Sequence, residues 1–575
     1  MKILGIVHDV TNTSAALIDN GEVVAACAEE RLVRIKRYRF FPHKAIQFCL
    51  EKANCTIEDV EYIAHGFNPA IYCRRNNLRF SHIPRWRAEY FFSIPNNLSD
   101  KYDGHFEGYA RQEIGVSLLN GKKTKCEIIY VDHHLSHCAN AFLLSPYEDA
   151  AIFSADGRGE HSTGMFAVGN KNKIEVIKEI PYPHSIGLFY GIFTEHLGFR
   201  LYSDEWKVMA LSAYATDKRM NEEYYKKIRG LVSVDNNGTF EMDLSFFMHF
   251  LQDQSGYSSS KLIQLIGPTR ENNDELTERH YAIAHAVQKV TEDILTQMLN
   301  WLYEQTGLER VTVSGGTFMN SLFNGKIRDK TDFKEVFISS CPDDIGTSIG
   351  AALYVYNHLL GNKKRYVQKH NYYGPEFSNN EVRETLDRYK VKYESVDNIT
   401  EYTAKLLAEG YLIGWFQGRM EYGERALGNR SILADPRDSS MKDKINAAVK
   451  YRESFRPFAP SILYEKTGEY FEIPDSVGVP FMEQICKVKK EKQEEIPAVV
   501  HKDGTGRLQT VKKDINARFY DLIKSFYGIT GVPVVLNTSF NLNGEPIVCS
   551  PNDAIRTFYT CGLDYLVMGN YVIKK

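Results

Sequence analysis

Short apolar runs broken by turn residues set the pattern of the first half of the chain. Ile3 to Val7 reads as a buried strand and Ser14 to Ile18 as a second. Asn20-Gly21 is the pair favoured in a type I′ hairpin, and Glu22 to Ala28 returns as a third strand. The theme recurs at Ala150 to Ala155, which runs into Asp156-Gly157 and is followed by strands over Thr163 to Val168 and Lys173 to Ile180. Strand, acidic loop and hairpin used twice predict a duplicated mixed sheet. Helical periodicity is read after Asp132 through Leu144, over His184 to Gly198, over Tyr281 to Tyr303 and over Ile349 to Leu360. Tyr72 to Phe92 is read as an amphipathic helix with its rings inward, and 216–280 as a polar, irregular insertion. Turn residues from Gly361 to Asn380 mark a boundary, giving a first domain over 1–362, a linker over 363–380 and a second domain over 381–575. In the second, Thr400 to Glu409 reads as a helix, and Tyr411 to Phe416 and Pro533 to Leu536 as buried strands.

Bulk composition narrows the partners. The 575 residues suffice for two or three full cores, and 43% hydrophobic with 25% charged residues is ordinary for a globular protein. A net charge of −3 argues against general nucleic-acid binding, so no nucleic-acid partner is expected. Ten cysteines without a CxxC pair argue against a zinc ribbon or a disulfide framework. The opening MKILGIVHDV does not read as a signal peptide, and no apolar run is long enough to span a membrane. The expectation is a cytoplasmic protein with reduced thiols and no membrane partner, with a homodimer left open.

Against that neutral background, the basic segment Gly418 to Arg437 stands out. It carries Arg419, Arg425, Arg430 and Arg437 with Gly418, Gly423 and Gly428 between them, and Lys450, Arg452 and Arg456 follow. Arginine forks bind phosphate or carboxylate bidentately and glycines let backbone approach an anion, so the segment reads as the floor of an anion pocket. The bland alternative is a solvated basic face. Arg31 to Arg39 is read as such a face. His133 and His137, four apart, leave one face of a helix at a spacing that suits two ligands of one divalent metal. The alternative is a pair of satisfied helix-end histidines. Ser185 and Gly187 open a helix, where free N–H groups favour an anion.

The segment closely resembles the signature of the O-carbamoyltransferases related to nodulation-factor and tobramycin carbamoyltransferases. Two positions depart from it: Tyr422 replaces a usual Phe, and Glu424 stands where Pro is usual. The likeness continues through Glu205–Met209, Ser314–Asn320, the spacing of Lys450 and Arg456, His501–Val511, Asn537–Asn541 and Gly544–Ile547. Asn543 replaces a residue that is basic in many relatives. The resemblance implies an α/β protein with an N-terminal actin-like ATPase domain of the Kae1-like kind, built on a duplicated mixed sheet, followed by a YrdC-like α/β domain. It implies a metal held by His133, His137, Asp156 and Asp344, with Asp343 the competing choice beside Asp344. Iron(II) is favoured, with zinc, manganese and magnesium open. It places nucleotide contacts at Ser314, Gly315, Gly316, Asn320 and Lys207, and at Arg419, Arg425 and Arg430. Lys450, Arg456, Arg507, Asn537, Ser539 and Asn541 would hold the carbamoyl donor.

The activity implied is ATP-dependent transfer of the carbamoyl group of carbamoyl phosphate, through carbamoyl adenylate, to a hydroxyl of a small-molecule natural product or sugar. The resemblance does not single out which histidine or carboxylate takes the acceptor proton; His134 is the candidate base. The alternatives are a tRNA-modifying carbamoyl transfer, a kinase of the actin superfamily and an ATP-gated binding protein.

Overall fold

The structure is a computed structural model that describes residues 1–8, 10–68, 109–118, 122–251, 256–272, 274–450 and 455–575. The helix expected over Tyr72 to Phe92 and the residue Arg452 lie outside the described residues. The chain divides into two units, one of residues 1–29 and 38–368, the other of residues 30–37 and 369–575.

The first unit holds two large sheets. The first comprises β1 (Lys2–Val7), β2 (Ser14–Asp19), β3 (Glu22–Ala28), β4 (Tyr62–His65), β5 (Tyr109–Leu118) and β6 (Lys122–Val131) in the order β3-β2-β1-β4-β6-β5. The Asn20-Gly21 turn has both residues at positive φ, as a type I′ hairpin requires. The second comprises β7 (Asp149–Ala155), β8 (Ser162–Asn170), β9 (Lys173–Pro181), β10 (Arg310–Ser314) and β11 (Glu335–Ile338) in the order β11-β10-β7-β8-β9. The two sheets share a plan. Each begins as an antiparallel meander, and its first strand then pairs in parallel with a later one: β1 with β4, and β7 with β10.

Two helices carry the site of this unit, α1 (His133–Phe142) after β6 and α2 (Thr347–Leu353) after β11. They cross so closely that a Cβ on Gly350 would lie 1.9 Å from the Ser136 carbonyl, so only glycine fits. The stretch 216–280 is more ordered than its polarity predicts. It forms helices at Lys218–Arg229 and Ser260–Ile266 and a small hairpin, because Tyr224, Ile228, Phe240, Met242, Leu262 and Ile266 are buried.

The second unit is built on a mixed sheet of β12 (Glu394–Ser395), β13 (Ile413–Phe416), β14 (Arg430–Ala434), β15 (Ala459–Leu463), β16 (Gln509–Val511), β17 (Val534–Ser539), β18 (Tyr565–Met568) and β19 (Tyr571–Lys574), in the order β12-β19-β18-β13-β14-β17-β15-β16. Helices α3 (Ala517–Thr530) and α4 (Pro551–Tyr559) contribute Phe519, Leu522, Ile523, Phe526, Ile555 and Phe558 to its core. Segment 30–37 belongs to this unit through Arg31, which donates to the Gly423 carbonyl at 2.9 Å, and Arg34, which donates to the Pro546 and Ile547 carbonyls. The expected solvated face is therefore a docked segment: Arg31 is buried and paired with Glu30 at 2.7 Å.

Candidate active site

Helix α1 begins where β6 ends. Asp132 caps it by accepting from the Leu135 N–H at 3.0 Å, and the buried Glu160 carboxylate accepts the His133 N–H at 3.0 Å. Burial, then the neighbouring Asp132, pushes the Glu160 pKa well above the usual carboxylate range. With its first turn fixed, α1 presents His133 and His137 side by side, their Nε2 atoms 3.1 Å apart. Asp156, just beyond β7, puts Oδ2 at 3.5 Å from His133 Nε2 and 3.1 Å from His137 Nε2. Asp344, in the turn before α2, puts Oδ1 at 3.5 and 3.7 Å from the same atoms. One ligand atom from each of the four residues lies within 4.8 Å of all the others.

The far nitrogens fix which ring atom faces inward. His133 Nδ1 faces the Gly66 carbonyl at 3.3 Å, which can only accept, so Nδ1 carries a proton and Nε2 is the atom turned to the cluster. His137 Nδ1 faces the Ser314 hydroxyl at 3.3 Å, whose own proton is donated to the Pro342 carbonyl. Burial disfavours a charge on His133, but the carboxylates of Asp156 and Asp344 outweigh it and hold its pKa well above the usual value. Burial likewise raises Asp344, and hydrogen bonds from the two histidines overcome it and leave Asp344 well below its usual range. Asp156 Oδ2 is buried, with His137 Nε2 at 3.1 Å. Two imidazole Nε2 atoms and two carboxylates converging on one buried point are the donor set of a divalent cation, whose binding would displace the Nε2 protons. The residues present fit one.

His134 is next to this cluster but turned from it. Its Nδ1 meets the Ser154 hydroxyl at 2.8 Å and its Nε2 the Ser162 carbonyl at 3.2 Å, and burial, then His133 and His137, pushes its pKa well below the usual value. Asp343 also stands outside, accepting from the Cys341 thiol at 3.2 Å.

Gly315 and Gly316 lie against the end of β7. Gly315 has φ +96°, and a Cβ on it would sit 2.1 Å from the Ala155 carbonyl; one on Gly316 would sit 2.8 Å from Asp156 Oδ1. The paired glycines are thus required by the approach of β10 to the Asp156 turn. Asn320 exchanges a hydrogen bond with Gln288 at 2.9 Å and caps the next turn through Phe323 N–H. Lys207 pairs with Asp204 at 3.1 Å over the Phe199 ring.

In the second unit, the arginine segment divides. Arg430 is fully buried, donating to the carbonyls of Gln417, Gly418, Asn429 and Pro375 with its guanidinium 3.8 Å from the Phe416 ring centroid; burial pushes its pKa down to about 10. Arg419 donates to the Tyr373 carbonyl at 2.6 Å. These two forks hold backbone. Glu424 sits among Arg31, Lys36, Arg37 and Arg425; burial raises its pKa, and these four cations outweigh that and lower it. Lys450 is buried and meets Ser539 O at 2.6 Å, Asn541 Oδ1 at 2.8 Å and Asn541 O at 3.0 Å, so three of the expected substrate contacts come together at the end of β17. Asn537 sits one pleat earlier, donating to Gln509 Oε1 at 3.0 Å and Ser461 Oγ at 3.1 Å. Arg507 ends the short strand Thr505–Arg507, opposite Ile485, and Arg456 is buried just before β15.

The model of the carbamoyltransferase N-terminus matches residues 2–353, and that of the carbamoyltransferase C-terminus matches residues 404–575. The chain belongs to the carbamoyltransferase family. Among its relatives, nodulation protein NolNO of Sinorhizobium fredii is 36% identical over 99% of this chain and 80% of its own length. The 3'-hydroxymethylcephem-O-carbamoyltransferase of Streptomyces clavuligerus is 28% identical over 78% of this chain and 81% of its own length. A solved structure of full-length HypF in phosphate- and nucleotide-bound form aligns at 13% identity over 63% of this chain and 56% of its own, with a TM-score of 0.32, too low to carry an argument. This carbamoyltransferase is therefore a transferase enzyme. Among its described residues, no helix is long and apolar enough to cross a membrane.

Several residues that organise the carbamoyltransferase site are not among the site residues expected from the sequence. Glu421 is buried, and its Oε1 accepts from the main-chain N–H of Leu427 and of Asn429 at 2.7 and 2.8 Å, holding the loop ahead of Arg430. Glu160 and Thr11 reach the metal-type cluster from distant turns, and neither belongs to a spacing that marks a ligand. Gln509 lies within the His501–Val511 element, where its place opposite Ser461 in the β15–β16 pair gives it a role.

Proposed function

We propose that this protein is an ATP-dependent O-carbamoyltransferase that moves the carbamoyl group of carbamoyl phosphate to a hydroxyl of a small-molecule acceptor by way of carbamoyl adenylate. The observation that carries the reading is the buried His133, His137, Asp156 and Asp344 cluster in a chain of this family. The cephem O-carbamoyltransferase relative supports an oxygen acceptor. We assign the first unit to an actin-like, Kae1-like nucleotide fold, for which its repeated strand order speaks, and the second to a YrdC-like fold.

In this reading Lys450, Arg456 and Arg507 neutralise the carbamoyl donor in the second unit, while Ser539, Asn541 and Asn537 address the carbamoyl nitrogen and oxygen. Water then cleaves the bond between the carbamoyl group and the phosphate, which leaves as inorganic phosphate, and carbamate remains. A carbamate oxygen then attacks the α-phosphorus of ATP, pyrophosphate departs, and the mixed anhydride forms. At the first unit, the acceptor oxygen bonds to the carbamoyl carbon, AMP leaves, and the hydroxyl proton passes to a base. His134 is not assigned that role, since both its ring nitrogens are committed to Ser154 and Ser162. His133, His137, Asp156 and Asp344 would hold a divalent cation, iron(II) by donor preference, which supplies Lewis-acid polarisation of a carbonyl when bound. Burial of the cluster keeps water from the activated carbonyl.

The test needs no acceptor. Purified protein with ATP, carbamoyl phosphate and a divalent metal should release pyrophosphate only when carbamoyl phosphate is present, and Arg456→Ala or Arg507→Ala should abolish it. Release of ADP alone, or turnover indifferent to carbamoyl phosphate, refutes the scheme. His137→Ala should separately lower bound metal in elemental analysis.

A further inference from the structure

The two carboxylates of the cluster each use one oxygen inward and have the other engaged outward. Asp156 Oδ1 accepts the adjacent Gly157 N–H at 2.6 Å, leaving Oδ2 for the cluster. Asp344 Oδ1 faces both histidines, while its Oδ2 accepts the Thr11 main-chain N–H at 3.1 Å and the Thr11 hydroxyl as well. These two arrangements differ in origin. The Asp156 contact is made by a neighbouring peptide group and survives any side-chain change. The Asp344 contact comes from a turn 333 positions away in sequence, and half of it is one hydroxyl.

A carboxylate can bind a hard cation through one oxygen or through both, and the difference decides how many coordination positions remain for other ligands. An Oδ2 that already accepts two hydrogen bonds is poorly placed to serve as a second ligand atom. We propose that Thr11 is a positioning residue that holds Asp344 to single-oxygen coordination, so that the protein supplies four ligand atoms and a six-coordinate cation keeps two positions open for exchangeable ligands. The proposal rests on the metal reading of the cluster. Two open positions are what a reaction joining a carbonyl and a hydroxyl at one cation would use, and an Asp344 binding through both oxygens would close one of them. Thr11 thereby sets the capacity of the site without touching the cation.

The experiment uses the full chain, stripped with chelator and reloaded with manganese(II), a paramagnetic ion of octahedral oxygen preference. Electron paramagnetic resonance of free manganese(II) gives occupancy, and water-proton relaxation gives the number of exchangeable waters on the bound ion. Two waters are expected for the unaltered protein and for Thr11→Ser, which keeps the hydroxyl. One is expected for Thr11→Val and for the smaller Thr11→Ala, in which Asp344 Oδ2 keeps only the main-chain N–H of residue 11 and has a lone pair released for the cation. The Ser variant separates loss of the hydroxyl from general disturbance of the turn, and the Ala variant removes it without introducing a clash. An unchanged water number in Val and Ala at full occupancy overturns the role of Thr11 while leaving the metal reading intact. An unaltered protein that takes up no manganese, or takes it up equally after His137→Ala, overturns both.

Discussion

Arg430 has the side chain the sequence suggests for gripping an anion, and it spends that side chain on four main-chain carbonyls and an aromatic face inside the second unit. Removing a buried charged donor leaves those carbonyls unsatisfied in a dry environment. Arg430→Met should therefore lower unfolding stability by about 2–4 kcal/mol, read as a fall in denaturation midpoint. Loss of a residue that served only as an anion ligand would instead raise KM for an anionic substrate and leave the midpoint in place. The same contrast explains why residue type alone misleads here. A guanidinium has the same fork whether it meets a phosphate or a row of carbonyls, and what surrounds it is decided by β13, β14 and the turn at Pro375.

Segment 30–37 is the element whose place the sequence hides most fully. It follows β3 without a break in chain pattern, yet Arg31, Arg34 and Leu32 pack with Gly423, Pro546, Ile547 and Cys549 of the second unit. Arg34 also lies 3.3 Å from Asp553 in α4. Arg34→Ala should release this segment. Hydrogen exchange over 30–37 is expected to speed up by at least tenfold, with β1 to β3 unchanged, because the hairpin has its own ladder. Equal protection in the variant would show that Arg31 and Leu32 suffice. By contrast, the elements that carry the metal-type site were readable. His133 and His137 share a helical face by spacing alone, and Asp156 follows a short, continuous apolar run that reads as a buried strand.

Buried histidines with lowered pKa values link the stability of the whole molecule to acid. Burial, then Arg279 and His280, holds His196 neutral down to about 4, and burial does the same for His501, against an ordinary value of 6.5. In the unfolded chain both protonate as pH falls through 6.5, while in the fold they do not. Their contribution is complete above 6.5 and is lost as pH falls toward 4, so stability declines steadily through that window. For His196 the loss is limited to about 3 kcal/mol. His196→Gln should flatten the fall in melting temperature across the window; an identical slope would show that other groups control the acid response.

The sequence by itself determined the two hairpins of the first unit, the helices at His133–Phe142 and Glu278–Thr306, the duplicated plan of that unit, the histidine pair and the family motifs. Each is local: it is written in periodicity, in turn residues at fixed offsets or in residues a few positions apart. Tertiary structure alone decided which donors meet. It brought Asp344 rather than Asp343 to the histidines, turned His134 away to Ser154 and Ser162, set Thr11 behind Asp344, and carried 30–37 into the second unit. These outcomes depend on contacts between residues hundreds of positions apart, where a side chain's chemistry is the same in every candidate arrangement and only the packing of sheets and helices selects its partner.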